Sequence, residues 1–306
     1  MSDTLGVESP TQRSEPARPK IQRIAAVLNP LSGSVEAGAA ESLAKLVAEY
    51  GYDLSLTSPG PSEIPTAVRS AIDQGPDLLV ILAGDGTDRL AAELCGIDGP
   101  LIAPLPGGTL NMLPRAIYGT RAWPAALRAT LDEGVERTMC GGLVHGAPFY
   151  VAAILGTPAL WSNAREAVRK GQLAQAARRA RYAFRQAFRG GLRYQLDEKT
   201  THGAEALVLI SPVISAVTSR EVGLEAVGLD VHNAQEVFRL AFNGLIGDWR
   251  RDPSATSVLC QRGSVKSSRS IPCILDGEVQ HLPRQVDFSF KPRAFRVLAP
   301  PVEAAK

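Results

Sequence analysis

Leu78-Leu79-Val80-Ile81-Leu82-Ala83 is an unbroken apolar run that ends at Gly84-Asp85-Gly86-Thr87, after which Leu90 and Leu94 recur at helical spacing. A run of that kind reads as a strand buried on both faces, and such strands belong to parallel sheets covered by helices. A strand that stops at glycines and feeds a helix leaves a concave row of backbone N–H groups, where phosphates bind. An Asp within that row is unfavourable beside a phosphate unless a cation lies between them. The stretch therefore points to a nucleotide and a metal together.

The surrounding sequence keeps the same rhythm. Strands are predicted at 24–28, 53–57, 77–83 and 101–105, with helices between them, including one over 65–74 and one carrying Leu43, Leu46, Val47 and Tyr50 that stops at Gly51. Strand–helix alternation predicts a Rossmann-like α/β domain over 21–136, with ligands beyond the carboxyl ends of the strands. After about residue 137 the pattern changes to strands separated by Gly and Pro turns, at 138–155, 204–211, 256–262, 271–275 and 286–290. That predicts a second domain over 137–300, a mainly antiparallel β-sandwich with a basic helix inserted at 163–188. The 306 residues suit two domains of roughly 150 each. Residues 1–20, rich in Pro, Ser and charge, read as a disordered tail rather than a signal peptide.

A net charge of +2 gives no reason to expect a nucleic-acid partner. Cys95, Cys140, Cys260 and Cys273 contain no Cys-x-x-Cys pair, which favours a reducing compartment over a disulfide framework or zinc site. The uncharged stretch 138–164 is interrupted by Gly141, Gly142, Gly146, Pro148, Gly156 and Pro158, so it reads as short strands and turns rather than a membrane span. A cytoplasmic protein able to touch the inner face of the membrane is expected.

Three loops should meet at one sheet edge: Asn29-Pro30-Leu31-Ser32-Gly33-Ser34, Gly84-Asp85-Gly86-Thr87 and Pro106-Gly107-Gly108-Thr109-Leu110-Asn111. Taken singly, the first reads as a turn with an N-cap Ser and the third as a tight turn. Asp276-Gly277-Glu278, after the apolar 271–275, reads as a hairpin turn if taken alone.

As a set and in this order, these segments resemble the diacylglycerol-kinase catalytic-domain superfamily, which also holds sphingosine, ceramide and bacterial lipid kinases. Its patterns are Asn-Pro-x-Ser-Gly, Gly-Gly-Asp-Gly-Thr, Pro-x-Gly-Thr-x-Asn-Asp-x-Ala-Arg and a late Asp-Gly-Glu. The resemblance covers roughly residues 21 to 300. It implies a kinase with ATP in a cleft between the domains, bound by Asn29, Pro30, Leu31, Ser32, Gly33, Thr57, Gly84, Asp85, Gly86, Thr87, Thr109 and Asn111. It implies Mg²⁺ held at Asp85 and Glu278 as the general base, acting on a diacylglycerol-like or sphingoid lipid. Positioning and charge neutralisation dominate phosphoryl transfer, and a carboxylate near the acceptor hydroxyl can take its proton.

Departures from the patterns are Ala83 for the first Gly, Met112 for the Asp after Asn111, and Pro114 for the Ala before Arg115. Bacterial relatives use an Asp-containing loop for a structural Mg²⁺. The nearest segment here is 224–230, where Val227 takes the ligand position, so that second metal is not expected. An NAD kinase-like activity and a non-catalytic lipid- or nucleotide-binding protein stay open beside the lipid kinase, as does the acceptor lipid. Nine arginines and lysines between 163 and 193, beside the stripe Leu173, Ala177, Ala180, Phe184 and Phe188, suit either an anionic membrane surface or a solvated helix face. His145, His202, His232 and His281 show no metal spacing.

Overall fold

The computed structural model describes residues 18–156, 191–213, 223–229 and 256–301. Strands β1 (Arg23–Leu28), β2 (Asp53–Thr57), β3 (Leu78–Ala83) and β4 (Leu101–Pro106) form a parallel sheet in the order β2-β1-β3-β4. Every residue of β3 is buried, as an apolar run with helices on both faces requires. Helices α1 (Ala39–Glu49), α2 (Ile64–Asp73) and α3 (Asp85–Cys95) make the crossovers. The chain reverses direction across the sheet after β2, so right-handed crossovers put α1 on one face and α2 and α3 on the other. Gly51, at φ 72°, ends the first helical unit where a side chain would be strained. Two helices follow β4 that periodicity did not predict, α4 (Met112–Tyr118) and α5 (Trp123–Glu133); α5 packs on α1.

The remaining described strands are β5 (Val135–Val144), β6 (Ala147–Phe149), β7 (Ala152–Gly156), β8 (Leu192–Leu196), β9 (His202–Ala204), β10 (Ala206–Ile210), β11 (Leu224–Leu229), β12 (Thr256–Cys260), β13 (Arg262–Lys266), β14 (Ile271–Leu275), β15 (Glu278–Leu282) and β16 (Gln285–Ala299). An antiparallel sheet in the order β12-β11-β10-β7-β14-β15 faces the antiparallel part of the first sheet, in which β16, β13, β8 and β9 follow one another. Phe149, Leu192, Val265 and Phe288 from one sheet and Leu155, Leu207, Leu209, Leu224 and Leu275 from the other form their shared core. An α/β unit joined to a β-sandwich is the predicted fold class.

The last strand belongs to both halves. Residues 285–290 of β16 pair with β13 in the sandwich, while Val297 pairs in parallel with Ile102 of β4. Strand β5 accompanies β16 along its length, with a register break between Lys291 and Phe295. Phe295, Val297, Leu298 and Ala299 accordingly sit in the core of the α/β unit. The segment 224–229, considered above as a metal loop, is an interior strand of the antiparallel sheet with Val227 buried, and Asp230 lies outside the described residues. Most of the tail 1–20 and nearly all of the basic segment 163–193 also lie outside them.

Phe295 is fully buried and meets the Tyr150 ring edge-on at 4.7 Å between centroids. Phe295→Ala is expected to lower stability by about 3–5 kcal/mol in urea unfolding, and Phe295→Leu by less. A loss below about 1 kcal/mol for the alanine variant would show that this ring is not a core contact.

Candidate active site

The three loops predicted to converge do so, and their backbones are bonded to one another. Asn29 accepts the Leu31 N–H on its side-chain oxygen at 3.0 Å, closing an Asx turn. Ser34 joins the first loop to the third: its N–H donates to the Gly107 carbonyl at 2.9 Å and its hydroxyl to the Gly108 carbonyl at 2.7 Å. A Cβ on Gly108 would lie 2.8 Å from the Gly84 Cα, so the second and third loops touch backbone to backbone only because glycine stands there. A Cβ on Gly33 would meet the Thr109 hydroxyl at 2.8 Å. Asn111 adopts φ 52° and closes its own loop, accepting the Gly108 N–H at 2.7 Å and donating to the Gly108 carbonyl at 3.0 Å. Thr57 stands exposed at the same edge, at the end of β2 and paired with Val27. Leu31 projects into solvent, 74% exposed.

Helix α3 begins at Asp85 with no side-chain cap, so its first N–H groups open toward the edge. Asp85 itself does more than line a phosphate row. Its carboxylate accepts the N–H groups of Asn111, at 2.9 Å, and Met112, and so caps α4 from outside. Burial pushes its pKa up, and these backbone donors pull against the shift without cancelling it. One turn on, Asp88 is fully buried and its two oxygens have no partner among the described residues. Burial, then the neighbouring Asp85 charge, hold Asp88 well above the usual carboxylate range.

Asp276 and Gly277, at φ 45° and 91°, form a two-residue hairpin turn between β14 and β15. The turn reading holds, and the turn is anchored beside the converging loops. The Asp276 carboxylate accepts the N–H groups of Tyr150 at 2.6 Å, Val151 at 2.9 Å and Ala152 at 3.0 Å. Gly277 stands beside Leu110 of the third loop and Met112, the first residue of α4. Glu278 then reaches Gly86, where an added Cβ would fall 2.1 Å from its Oε1. Its other oxygen pairs with Arg89 of α3. Thus Glu278, Gly86, Asp85 and the third loop meet in one place.

Arg89, Asp88 and the anchoring role of Asp276 were not foreseen. The available signal for Arg89 was its spacing of four from Asp85, which puts both on one helix face. A cavity of about 640 Å³ opens on the α1–α5 side, lined by Lys45, Arg115, Arg121 and Trp123. It touches the candidate nucleotide residues only at Asn111.

Among the described residues no group of three or more His, Cys, Asp or Glu could hold a metal. Mg²⁺ commonly takes one or two carboxylates and completes its shell with substrate phosphates and water. Asp85, whose carboxylate lies where the second and third loops meet, would supply one such ligand.

Burial raises the Asp276 pKa from 3.8 to about 6, against the pull of its three backbone donors. Asp276 thus binds its proton more tightly folded than unfolded: its contribution is full below pH 3.8 and is lost as pH rises through about 6. Asp276→Asn removes that titration, so the fall in stability between pH 4 and 7 should be shallower than in the parent by about 3 kcal/mol. Parallel urea-unfolding profiles across that range would contradict this.

Residues 23–142 match the diacylglycerol kinase catalytic domain. No curated protein matches the sequence. The structure is similar to that of a diacylglycerol kinase from Bacillus anthracis str. Sterne, with a TM-score of 0.67 at 14% identity, over 94% of this chain and 100% of that one. A second structure, described as that of a putative diacylglycerol kinase from that organism, gives a TM-score of 0.68 at 16% identity with the same coverage. At such identity the likeness is one of fold. The motifs, the fold and the matched profile agree: residues 23–142 are similar to a diacylglycerol kinase catalytic domain.

Proposed function

We propose that the protein is an ATP- and Mg²⁺-dependent lipid kinase that transfers the γ-phosphate to a hydroxyl of a diacylglycerol-like or sphingoid lipid. The observation that carries this reading is the placement of the Glu278 carboxylate against Gly86 of the phosphate loop. A general base must lie within hydrogen-bond reach of both the acceptor hydroxyl and the phosphoryl group it will attack. ATP binds along 29–33, Thr57, 84–87 and Thr109, with Asn111 shaping the third loop. Mg²⁺ at Asp85 neutralises phosphate charge. The nucleotide rests on the 21–136 region and the lipid lies against 137–300.

Glu278 takes the proton of the acceptor hydroxyl, and the open N-terminus of α3 holds the phosphoryl oxygens through backbone N–H groups. Among the described residues no helix is long and apolar enough to cross a membrane. In this reading the lipid is met at a membrane surface, where the arginines of 163–193 would attract anionic headgroups.

Radiolabelled ATP offered with a panel of diacylglycerol, monoacylglycerol, ceramide and sphingoid bases, in mixed micelles with Mg²⁺, tests the assignment. Label in no lipid would sink it, and label in NAD instead would make the protein a small-molecule kinase. Glu278→Gln should keep nucleotide affinity and lose roughly 10²–10⁴-fold in kcat. Unchanged turnover would remove Glu278 from the base role. Asp85→Asn should lose Mg²⁺-dependent turnover and, by weakening the cap on α4, about 1–3 kcal/mol of stability. Normal metal dependence in that variant would refute the assignment of Asp85.

A further inference from the structure

Arg89 and Glu278 form an ion pair at the edge where the phosphate loop meets the β14–β15 turn. Arg89 lies on α3 four residues after Asp85, and helical side chains lean toward the N-terminus, so its guanidinium reaches back over the turn that begins at Asp85. Its side chain is only 19% exposed, and its buried Nε has no partner among the described residues. A guanidinium is a planar fork suited to two oxygens of one anion. Here Nη2 meets one carboxylate oxygen while Nε is left over.

The pairing also conflicts with the work assigned to Glu278. A carboxylate engaged by a cation is a poorer acceptor for a hydroxyl proton. Phosphates entering at Gly86 would bring negative charge to within a side chain's length of the same guanidinium.

We infer that Arg89 is a second catalytic residue of this site: with ATP bound, its guanidinium passes from Glu278 to the transferring phosphoryl group, which it stabilises while freeing the carboxylate. The inference rests on the kinase reading above. In the step, the acceptor hydroxyl oxygen bonds to the γ-phosphorus as the bond from that phosphorus to the β–γ bridging oxygen breaks. The hydroxyl proton goes to Glu278, and ADP leaves with the electron pair of the broken bond. Arg89 donates to equatorial oxygens of the moving group, where an arginine is effective in phosphoryl transfer.

The test uses the full chain and two readouts. One is turnover with the best lipid of the panel; the other is calorimetric affinity for MgADP with and without aluminium fluoride, a mimic of the transferring phosphoryl. For Arg89→Met, kcat should fall on the order of 10²-fold or more, and the affinity gained from aluminium fluoride should shrink on the order of tenfold or more. MgADP affinity should hold within about threefold. Arg89→Lys should recover little, since an ammonium lacks the fork.

Should Arg89→Met fold poorly because Glu278 loses its partner, E278Q is compared with R89M/E278Q on the binding readout, which needs no base. A variant with parental or higher turnover would make the pair a brake and overturn the inference. Equal losses for MgADP with and without fluoride would reduce Arg89 to nucleotide binding and overturn it as well. A parent chain that binds no MgADP would instead defeat the kinase reading itself.

Discussion

Asp276 puts one carboxylate beneath three consecutive backbone N–H groups, those of Tyr150, Val151 and Ala152. The bonds tie a hairpin turn of one sheet to the approach of β7, and they fix where the turn points. Each such charge-assisted bond contributes about 1.5–3 kcal/mol against the cost of burying the charge. The raised pKa of Asp276 shows that burial outweighs the donors. The carboxylate is therefore a placing device first and a source of stability second. From that anchor follow the seating of Gly277 on Leu110 and Met112 and the arrival of Glu278 at Gly86. Asp85 repeats the device on the opposite wall, receiving the N–H groups that open α4. Two motif aspartates thus hold backbone, and the walls of the cleft are set by side chain-to-backbone bonds instead of apolar packing alone.

The parallel sheet was legible because β1, β3 and β4 are buried almost throughout. Nothing but an unbroken apolar run suits β3, and Gly51 and Gly84 punctuate the elements around it. The three loops could be brought together on paper, since every one follows a strand of the same parallel sheet. Other elements hid for stated reasons. Helix α4 starts at a left-handed Asn111 and takes its cap from Asp85, far away in sequence, so no local start signal precedes it. Strand β11 carries the buried Glu225 and Gly228 within its six residues, which breaks an apolar pattern.

The position of Glu278 was not available from spacing at all. It depends on how β14 and β15 close and on the anchor at Asp276, both long-range facts. The Asp-Gly turn signal has a placing consequence: the left-handed turn is what brings the following carboxylate to Gly86. Arg89 was hidden for the opposite reason. A single cation on a helix ordinarily faces water, and only the approach of the second sheet reveals what it meets.

The shared strands carry a mechanical consequence. Strands β5 and β16 run side by side from the α/β core into the sandwich, joined by a ladder on both sides of the break between Lys291 and Phe295. The two halves of the molecule are therefore the ends of one ribbon, not bodies joined by a tether. Any movement of one half against the other must bend or twist that ribbon, and the break is its weakest point because the ladder is interrupted there.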